Sequence, residues 1–571
     1  MLLYFPTLST IFFANTIAIA NSKCYNVTVI TIGKSKDMKN YQSHYFKNLL
    51  LPCLTFSVVT GIFSALIITA FKIAAGYVVK LSEKIYDAVR ANPAWLPCLI
   101  LGVAALGLIS AFILTYSKNC RGGGIPTSIT AIRGITSIKW LESAFLLPIS
   151  ALITFLGGLP LGTEGPCVQM GTAVGDGVSK VVGGKKNIGW RRYIMTGGAA
   201  SGFAMATGSP ITAILFTLEE IHKRFSPLLF SIVSMSVAVS QLTAHLLEHF
   251  GLGSVGLFHT DTLDVLPLLL IWIPLIIGIV SGICSIGFIK LYNFTDSFIQ
   301  KQLKGLSVKI KFPIIFALCA IVGFFFAKML GTGHSLIDHL LGEHLFETET
   351  LWYFLIIVFI IRAIFMMVSN TAGVTGGIFL PTLAFGAILG ALCAEASIAL
   401  GLISEDHYTL LVVLGMVSFL GASSRIPMTA GVFAIEALGG FNNILPVVLA
   451  VTTAFLTIEA SGLGDFTATV IKARTKKVHM GKEPIVINVP LTVGKGAFVI
   501  DKELRDILWP ASCTVLSIEK GPNNTGKLGI DEGDILTVHY TTYDPVATAA
   551  EFEVLVGDQS DDIDKIMRPE V

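Results

Sequence analysis

Residues 162–175 read GTEGPCVQMGTAVG, and residues 377–390 read GIFLPTLAFGAILG. Each opens on glycine, has proline at its fifth position and repeats glycine at its tenth and fourteenth. Proline in a first helical turn loses no hydrogen bond, because the N–H groups there have no partner inside the helix. Each stretch therefore reads as a helix that begins beside its proline. A second pair follows the first in the same order. Pro210-x-Thr212-Ala213-x2-Phe216-x2-Glu219 recurs as Pro427-x-Thr429-Ala430-x2-Phe433-x2-Glu436. The two offsets, 215 and 217 residues, nearly agree, which argues for an internal duplication rather than repeated small-residue packing. Sequence spacing does not decide whether the repeats are inverted or parallel.

The rest of the chain says where such helices live. Of 571 residues, 53% are hydrophobic and 14% charged, with mean hydropathy +0.74. A soluble protein carries about 25% charged residues, so most of this chain must face lipid. A net charge of +2 leaves no nucleic-acid footprint. The nine cysteines stand singly, with no CxxC pair, and imply neither a disulfide framework nor a metal site. No cofactor motif is present.

Runs at 48–79, 94–116, 227–248, 264–292, 312–330 and 350–369 are long enough to span a bilayer. Those at 124–135, 165–181, 208–221, 377–400 and 427–438 read as too short, broken by Gly and Pro. Helices that stop in mid-membrane must line a protein-enclosed cavity, since lipid cannot satisfy their bare ends. The expected organisation is an N-terminal segment 1–47, a membrane domain 48–475 in two repeats (about 48–250 and 264–475), a basic linker 476–485, a domain 486–557 and a tail 558–571. Residues 1–20 are apolar but lack a basic lead. They read as a signal peptide, an interfacial segment or the product of a start placed too far upstream. His222-Lys223-Arg224 and the basic residues from Lys472 to Lys482 place both ends on the cytoplasmic side by the positive-inside rule. From residue 486 apolar and polar residues alternate between Gly, Asn and Asp turns, as in the strands of a small soluble domain.

Three motifs carry the chemistry: Gly122-Gly123-Gly124-Ile125-Pro126, Gly162-Thr163-Glu164-Gly165-Pro166 and Gly377-Ile378-Phe379-Leu380-Pro381. Helix starts offer free N–H groups and roughly half a positive charge. Several converging at mid-membrane would hold an anion without Arg or Lys, weakly enough to release it. In this order the motifs resemble those of the CLC chloride channels and proton-coupled chloride transporters, whose forms are GSGIP, G(K/R)EGP and GxFxP. The likeness covers 48–475 and extends to GSPITAILFTLEE (208–220) and SNTAGVTGGIFLP (369–381).

The resemblance implies an all-α polytopic membrane protein, an inverted repeat of tilted and broken helices, with the small β-rich cytoplasmic domain appended. It implies a homodimer in a bacterial-type inner membrane, each subunit with its own pathway for chloride and protons. Its anion-binding positions fall on Gly123, Gly124, Ile125, Gly162, Gly165, Ile378 and Phe379, and near the last helix on Phe466, with Thr467 the alternative if one residue of gap is allowed. Glu164 matches the gating glutamate: inside an anion path its carboxylate competes with the anion for the same N–H groups, so protonation is linked to anion movement. Glu220 matches the internal proton-transfer glutamate of the transporter members. Glu219 reads as a helper or structural group because Glu436 repeats it, and Arg362 as structural, neutralising carbonyls or a carboxylate.

Two departures stand out. Most members hold the central anion with a serine hydroxyl in the first motif and a tyrosine hydroxyl near the last helix. Here those positions read Gly123 and Phe466, and Thr163 replaces a cation in the second motif. Anion selectivity and tight coupling are thereby left open. Residues 486–556 weakly resemble the RCK_C/TrkA_C ligand-binding domain through the run from Gly526-Lys527 to Gly533-Asp534-Ile535-Leu536; the alternative is a dimerisation domain without a ligand.

The leading reading is a proton/chloride antiporter; the alternatives are a passive chloride channel, against which Glu220 argues, or a weakly selective nitrate/chloride transporter. A fluoride exporter of the family would carry an asparagine-bearing first motif. Enzymes fit poorly: HExxH and GxSxG are absent, Gly462-Leu463-Gly464-Asp465 lacks a partner aspartate, and Gly521-x4-Gly526-Lys527 is followed by Leu528.

Overall fold

The computed structural model describes residues 51–182, 189–253, 256–258, 263–303, 305–342, 352–478, 483–522 and 529–557. Expectations for 1–47, for much of the basic linker, for Gly526-Lys527 and for the tail lie outside the described residues.

Nine helical segments among the described residues are long and apolar enough to cross a membrane, so the protein is an integral, multi-pass membrane protein. In chain order the helices are α1 (Leu51–Ala91), α2 (Leu96–Tyr116), α3 (Ile125–Ile132), α4 (Trp140–Leu156), α5 (Glu164–Val181), α6 (Arg191–Thr207) and α7 (Pro210–Phe216). They continue with α8 (Pro227–His249), α9 (Trp272–Gln302), α10 (Val308–Phe325), α11 (His334–Gly342), α12 (Trp352–Ala372), α13 (Phe379–Ala399) and α14 (Tyr408–Ser424). Last come α15 (Pro427–Ala437), α16 (Ile444–Glu459) and α17 (Phe466–Val478). The short elements at 124–135, 208–221 and 427–438 are half-length helices, as their Gly and Pro residues imply. The stretch at 377–400 is not. It forms the 21-residue α13, itself long enough to span. Its proline sits in the first turn, where it breaks nothing, and its glycines serve packing.

Gly386 lies so close to α14 that an added Cβ would stand 2.5 Å from Gly415 O. In the first repeat, a Cβ on Gly171 would stand 2.0 Å from Gly198 O of α6. The pairs α5/α6 and α13/α14 are thus the same close-packed hairpin built twice. Every residue of α5 from Glu164 to Ser179 is buried. This explains how a helix with too little apolar character for lipid sits in the middle of a membrane protein.

The repeats also fix their mutual orientation. Glu219, just past α7, accepts the backbone N–H groups of Met428 (3.1 Å) and Thr429 (2.8 Å) and the Thr429 hydroxyl (2.7 Å) at the start of α15. Glu436, near the end of α15, accepts the equivalent three bonds from Ile211 (2.9 Å), Thr212 (2.8 Å) and the Thr212 hydroxyl (2.7 Å). The end of each helix caps the start of the other. Two equivalent helices joined this way run antiparallel, so the repeats are inverted. Each carboxylate also sits where the helix dipole favours negative charge.

Beyond α17 lies a three-stranded antiparallel sheet in the order β1 (Ile485–Thr492), β3 (Ile535–Thr542), β2 (Cys513–Glu519). Val489 and Val515 both pair with Val538. Alternate residues of β3 are buried under α18 (Pro545–Val556), with Tyr540 against Phe552 at 5.3 Å between ring centres. The strand alternation read from the sequence is this sheet. The domain seats on the membrane helices through residues 506–508. The Tyr193 hydroxyl donates to Asp506 O and accepts from Leu508 N, Ser226 donates to Asp506 (2.7 Å), and Arg224 donates to Ile507 O (2.8 Å).

Candidate functional site

The three glycine-proline motifs meet. Gly162 and Gly377 exchange both backbone hydrogen bonds, at 2.8 and 2.7 Å, and Gly122 donates to Gly373 O at 3.1 Å. Gly124 has φ +66°, and a Cβ there would lie 2.0 Å from Gly165 O. Gly165 in turn would drive a Cβ to 2.3 Å from Gly123 O. Only glycine allows these backbones to touch. The starts of α3, α5 and α13 are therefore gathered into one buried place, with Ile125, Ile378 and Phe379 buried around it.

Glu164 opens α5 and is fully buried. Its carboxylate turns across to the third motif: Oε2 accepts the Leu380 N–H of α13 at 3.4 Å, and Oε1 accepts the Thr163 hydroxyl at 3.0 Å. The side chain thus takes up an N–H donor at a helix start, where the helix dipole favours negative charge. Thr163, noticed in the sequence only as a missing cation, is a hydrogen-bond partner of this carboxylate.

Glu220 lies in the wider helical turn Thr217–His222 that extends α7. It is 2% exposed, and its Oε2 has no hydrogen-bond partner among the described residues. Thr467 of α17 stands beside it, and its charged neighbours are Asp465, Lys223 and Arg133. Lys223 bridges to Asp465 at 2.6 Å, and Asp465 also caps the Ala468 N–H. That accounts for the aspartate of the GLGD run as a structural group. Although His222-Lys223-Arg224 follow it directly, Glu220 is enclosed rather than solvated. The segment 506–508 of the C-terminal domain is docked on Arg224 and Ser226, a few residues away.

Near the last helix, the Phe466 ring is fully buried and packs on Phe288 and Tyr292, at 5.2 and 4.9 Å between ring centres. Thr467, the alternative to it, faces Glu220. Arg362 donates to the carbonyls of Met329 (2.9 Å), Leu330 (3.2 Å) and Gly331 (3.0 Å), the structural role its isolation in α12 suggests. Sequence reasoning passed over Asn370. It lies in the quoted SNTAGVTGGIFLP stretch, but an asparagine there has no chemical signature until its neighbours are known. In the fold its carboxamide is buried beside Gly123. No cluster of His, Cys, Asp and Glu fit for a metal occurs among the described residues.

Residues 105–459 match the family model described as voltage gated chloride channel. Among solved structures, the fold is similar to that of a slow cyanobacterial Cl-/H+ antiporter, with 21% identity, TM-score 0.66, 74% of this chain and 98% of that one covered. It is also similar to a eukaryotic CLC transporter, at 20% identity, TM-score 0.62 and 74% of each chain. A CLC-type fluoride/proton antiporter matches at 19% identity, TM-score 0.58, over 71% of this chain and 95% of that one. At these identities the likeness is one of fold.

Proposed function

The chain belongs to the voltage gated chloride channel family, and from that membership and its two buried glutamates we propose that it exchanges chloride for protons. The observation that carries this reading is the Glu164 carboxylate, fully enclosed and bonded to the Leu380 N–H at the start of α13. An ionised carboxylate and an anion cannot share those N–H groups. Protonation of Glu164 weakens its hold and releases the place to chloride; chloride leaving lets the carboxylate return and give up its proton. Glu220, buried at the end that bears the C-terminal domain, supplies the other proton port. The proton antiport named for two of the similar solved structures agrees with this reading.

The further parts of the reading follow the family. Gly123, Gly124, Ile125, Gly162, Gly165, Ile378 and Phe379 line the anion site, with Phe466 at its inner edge. The protein is a homodimer in a bacterial-type inner membrane, and the C-terminal domain is a cytoplasmic regulatory module, open to a small ligand. Its contact with Arg224 and Ser226 puts it a few residues from Glu220.

The test is the reversal potential of the protein reconstituted in vesicles, with and without a pH gradient. An antiporter's reversal potential moves when the pH gradient is imposed. A potential set by chloride alone would overturn exchange and leave a passive channel.

A further inference from the structure

We infer that the carboxamide of Asn370 is the side-chain donor that steadies the anion beside the first motif, in the space that Gly123 leaves open. The inference rests on the anion-transport reading and adds a specificity-determining residue to it.

Asn370 sits in the last turn of α12 and is 3% exposed. Among the described residues, neither its Oδ1 nor its Nδ2 has a hydrogen-bond partner. A buried amide with nothing to bond is costly, and native proteins rarely leave one so. Its Nδ2 donors call for an acceptor. Its surroundings say which. Nδ2 lies 3.2 Å from where a Cβ at Gly123 would be, with Gly376 O and Ile378 Cγ2 at 3.4 and 3.9 Å from the same point. Gly376 also donates to Gly122 O at 3.4 Å. The carboxamide thus enters the junction of the first and third motifs, among the residues already assigned to the anion.

The chemistry fits a small anion. A carboxamide Nδ2 presents two N–H donors and no net charge, so it holds an anion without trapping it. It also explains why a side chain at 123 is dispensable. A β-carbon at 123 would crowd the amide at 3.2 Å, so a donor borne at 123 and a donor at 370 draw on the same volume.

The test uses the full-length protein in vesicles and in detergent. Asn370→Leu keeps the bulk and removes the donor. Hydrogen bonds to charged groups contribute enough that chloride affinity, read by calorimetric titration, should fall about tenfold or more. The preference for chloride over nitrate, read from reversal potentials, should change in the same variant. Asn370→Ala should show the same loss, and Gly123→Ser placed in that background should restore affinity by supplying a hydroxyl. Wild-type affinity in both Asn370→Leu and Asn370→Ala would overturn the inference while leaving anion transport intact. A loss in Asn370→Ala that Gly123→Ser does not restore would also overturn it, leaving Asn370 a packing residue. Absence of anion flux in the wild type would instead bring down the transport reading itself.

Discussion

The two halves of the membrane domain agree at Glu219 and Glu436 and disagree at Glu164 and Glu220. By the repeat offsets, Glu164 corresponds to Phe379, and Glu220 to Ala437. The shared pair does the same thing in both halves: each carboxylate takes three hydrogen bonds at the start of the opposite half's short helix. The unshared pair stands in one half only. Glu164 caps the start of a helix from the other half, and the matching Phe379 has no carboxylate to cap back; among the described residues Glu220 keeps an oxygen without a partner. Acids whose hydrogen bonds are complete on both sides hold the repeats together. Glu164, held by one N–H and one hydroxyl, and Glu220, with one oxygen unpartnered among the described residues, carry fewer bonds than the symmetric pair. The repeats supply a symmetric frame, and the two unshared acids are where that symmetry is broken.

That division can be broken experimentally at either pair. The largest effect is expected at Glu220. Glu220→Gln should lower proton flux on the order of a hundredfold, the scale of losing a positioned proton-transfer group, while chloride flux persists. Unchanged proton flux would return Glu220 to a merely structural place. Smaller effects are expected at the symmetric pair. Glu219→Ala and Glu436→Ala should each destabilise the protein by about 1–3 kcal/mol, the range for orphaned helix-start donors. The two losses should be alike, seen as similar drops in Tm in detergent, and the ratio of protons to chloride should not move. Markedly unequal losses, or an altered ratio, would blur the line between frame and chemistry.

The smallest effect lies outside both halves and serves as their control. Lys502 of the C-terminal domain is buried against the Phe498 ring, 3.9 Å from its centre. Burial pulls its ammonium down from 10.5 to about 8, against the opposing pull of Asp501 and Asp506. Between those values the unfolded chain holds a proton that the folded domain has shed, so stability rises with pH across that window. Hydrogen exchange of β1–β3 in the full-length protein should slow from pH 8 toward pH 10 once corrected for intrinsic rates. In Lys502→Met that dependence should vanish, with transport unchanged.

Much of this was legible in the sequence, for reasons that differ from residue to residue. The Pro-Gly spacing of 162–175 and 377–390 showed two repeated helix starts, because proline is tolerated in a first turn; that their glycines pack each helix on the next appears only in the fold. The Glu219/Glu436 recurrence announced a shared packing role, though not that the carboxylates swap partners. Contact across more than 200 residues leaves no local trace. The length of α13 was misread because proline and glycine break an isolated helix, whereas here one sits in the first turn and the others pack on α14. Asn370 was invisible for a related reason. Its meaning depends on lying beside Gly123 and on an amide that is buried and unpartnered among the described residues, and a linear reading sees neither the adjacency nor the burial.

The central claim is that Glu164 alternates with the anion and so ties its movement to a proton. The direct measurement is proton uptake driven by a chloride gradient in vesicles bearing Glu164→Ala, recorded together with chloride flux. The account predicts that chloride still moves, that protons no longer move uphill, and that the reversal potential follows chloride alone. Uphill proton movement that survives in Glu164→Ala would contradict it.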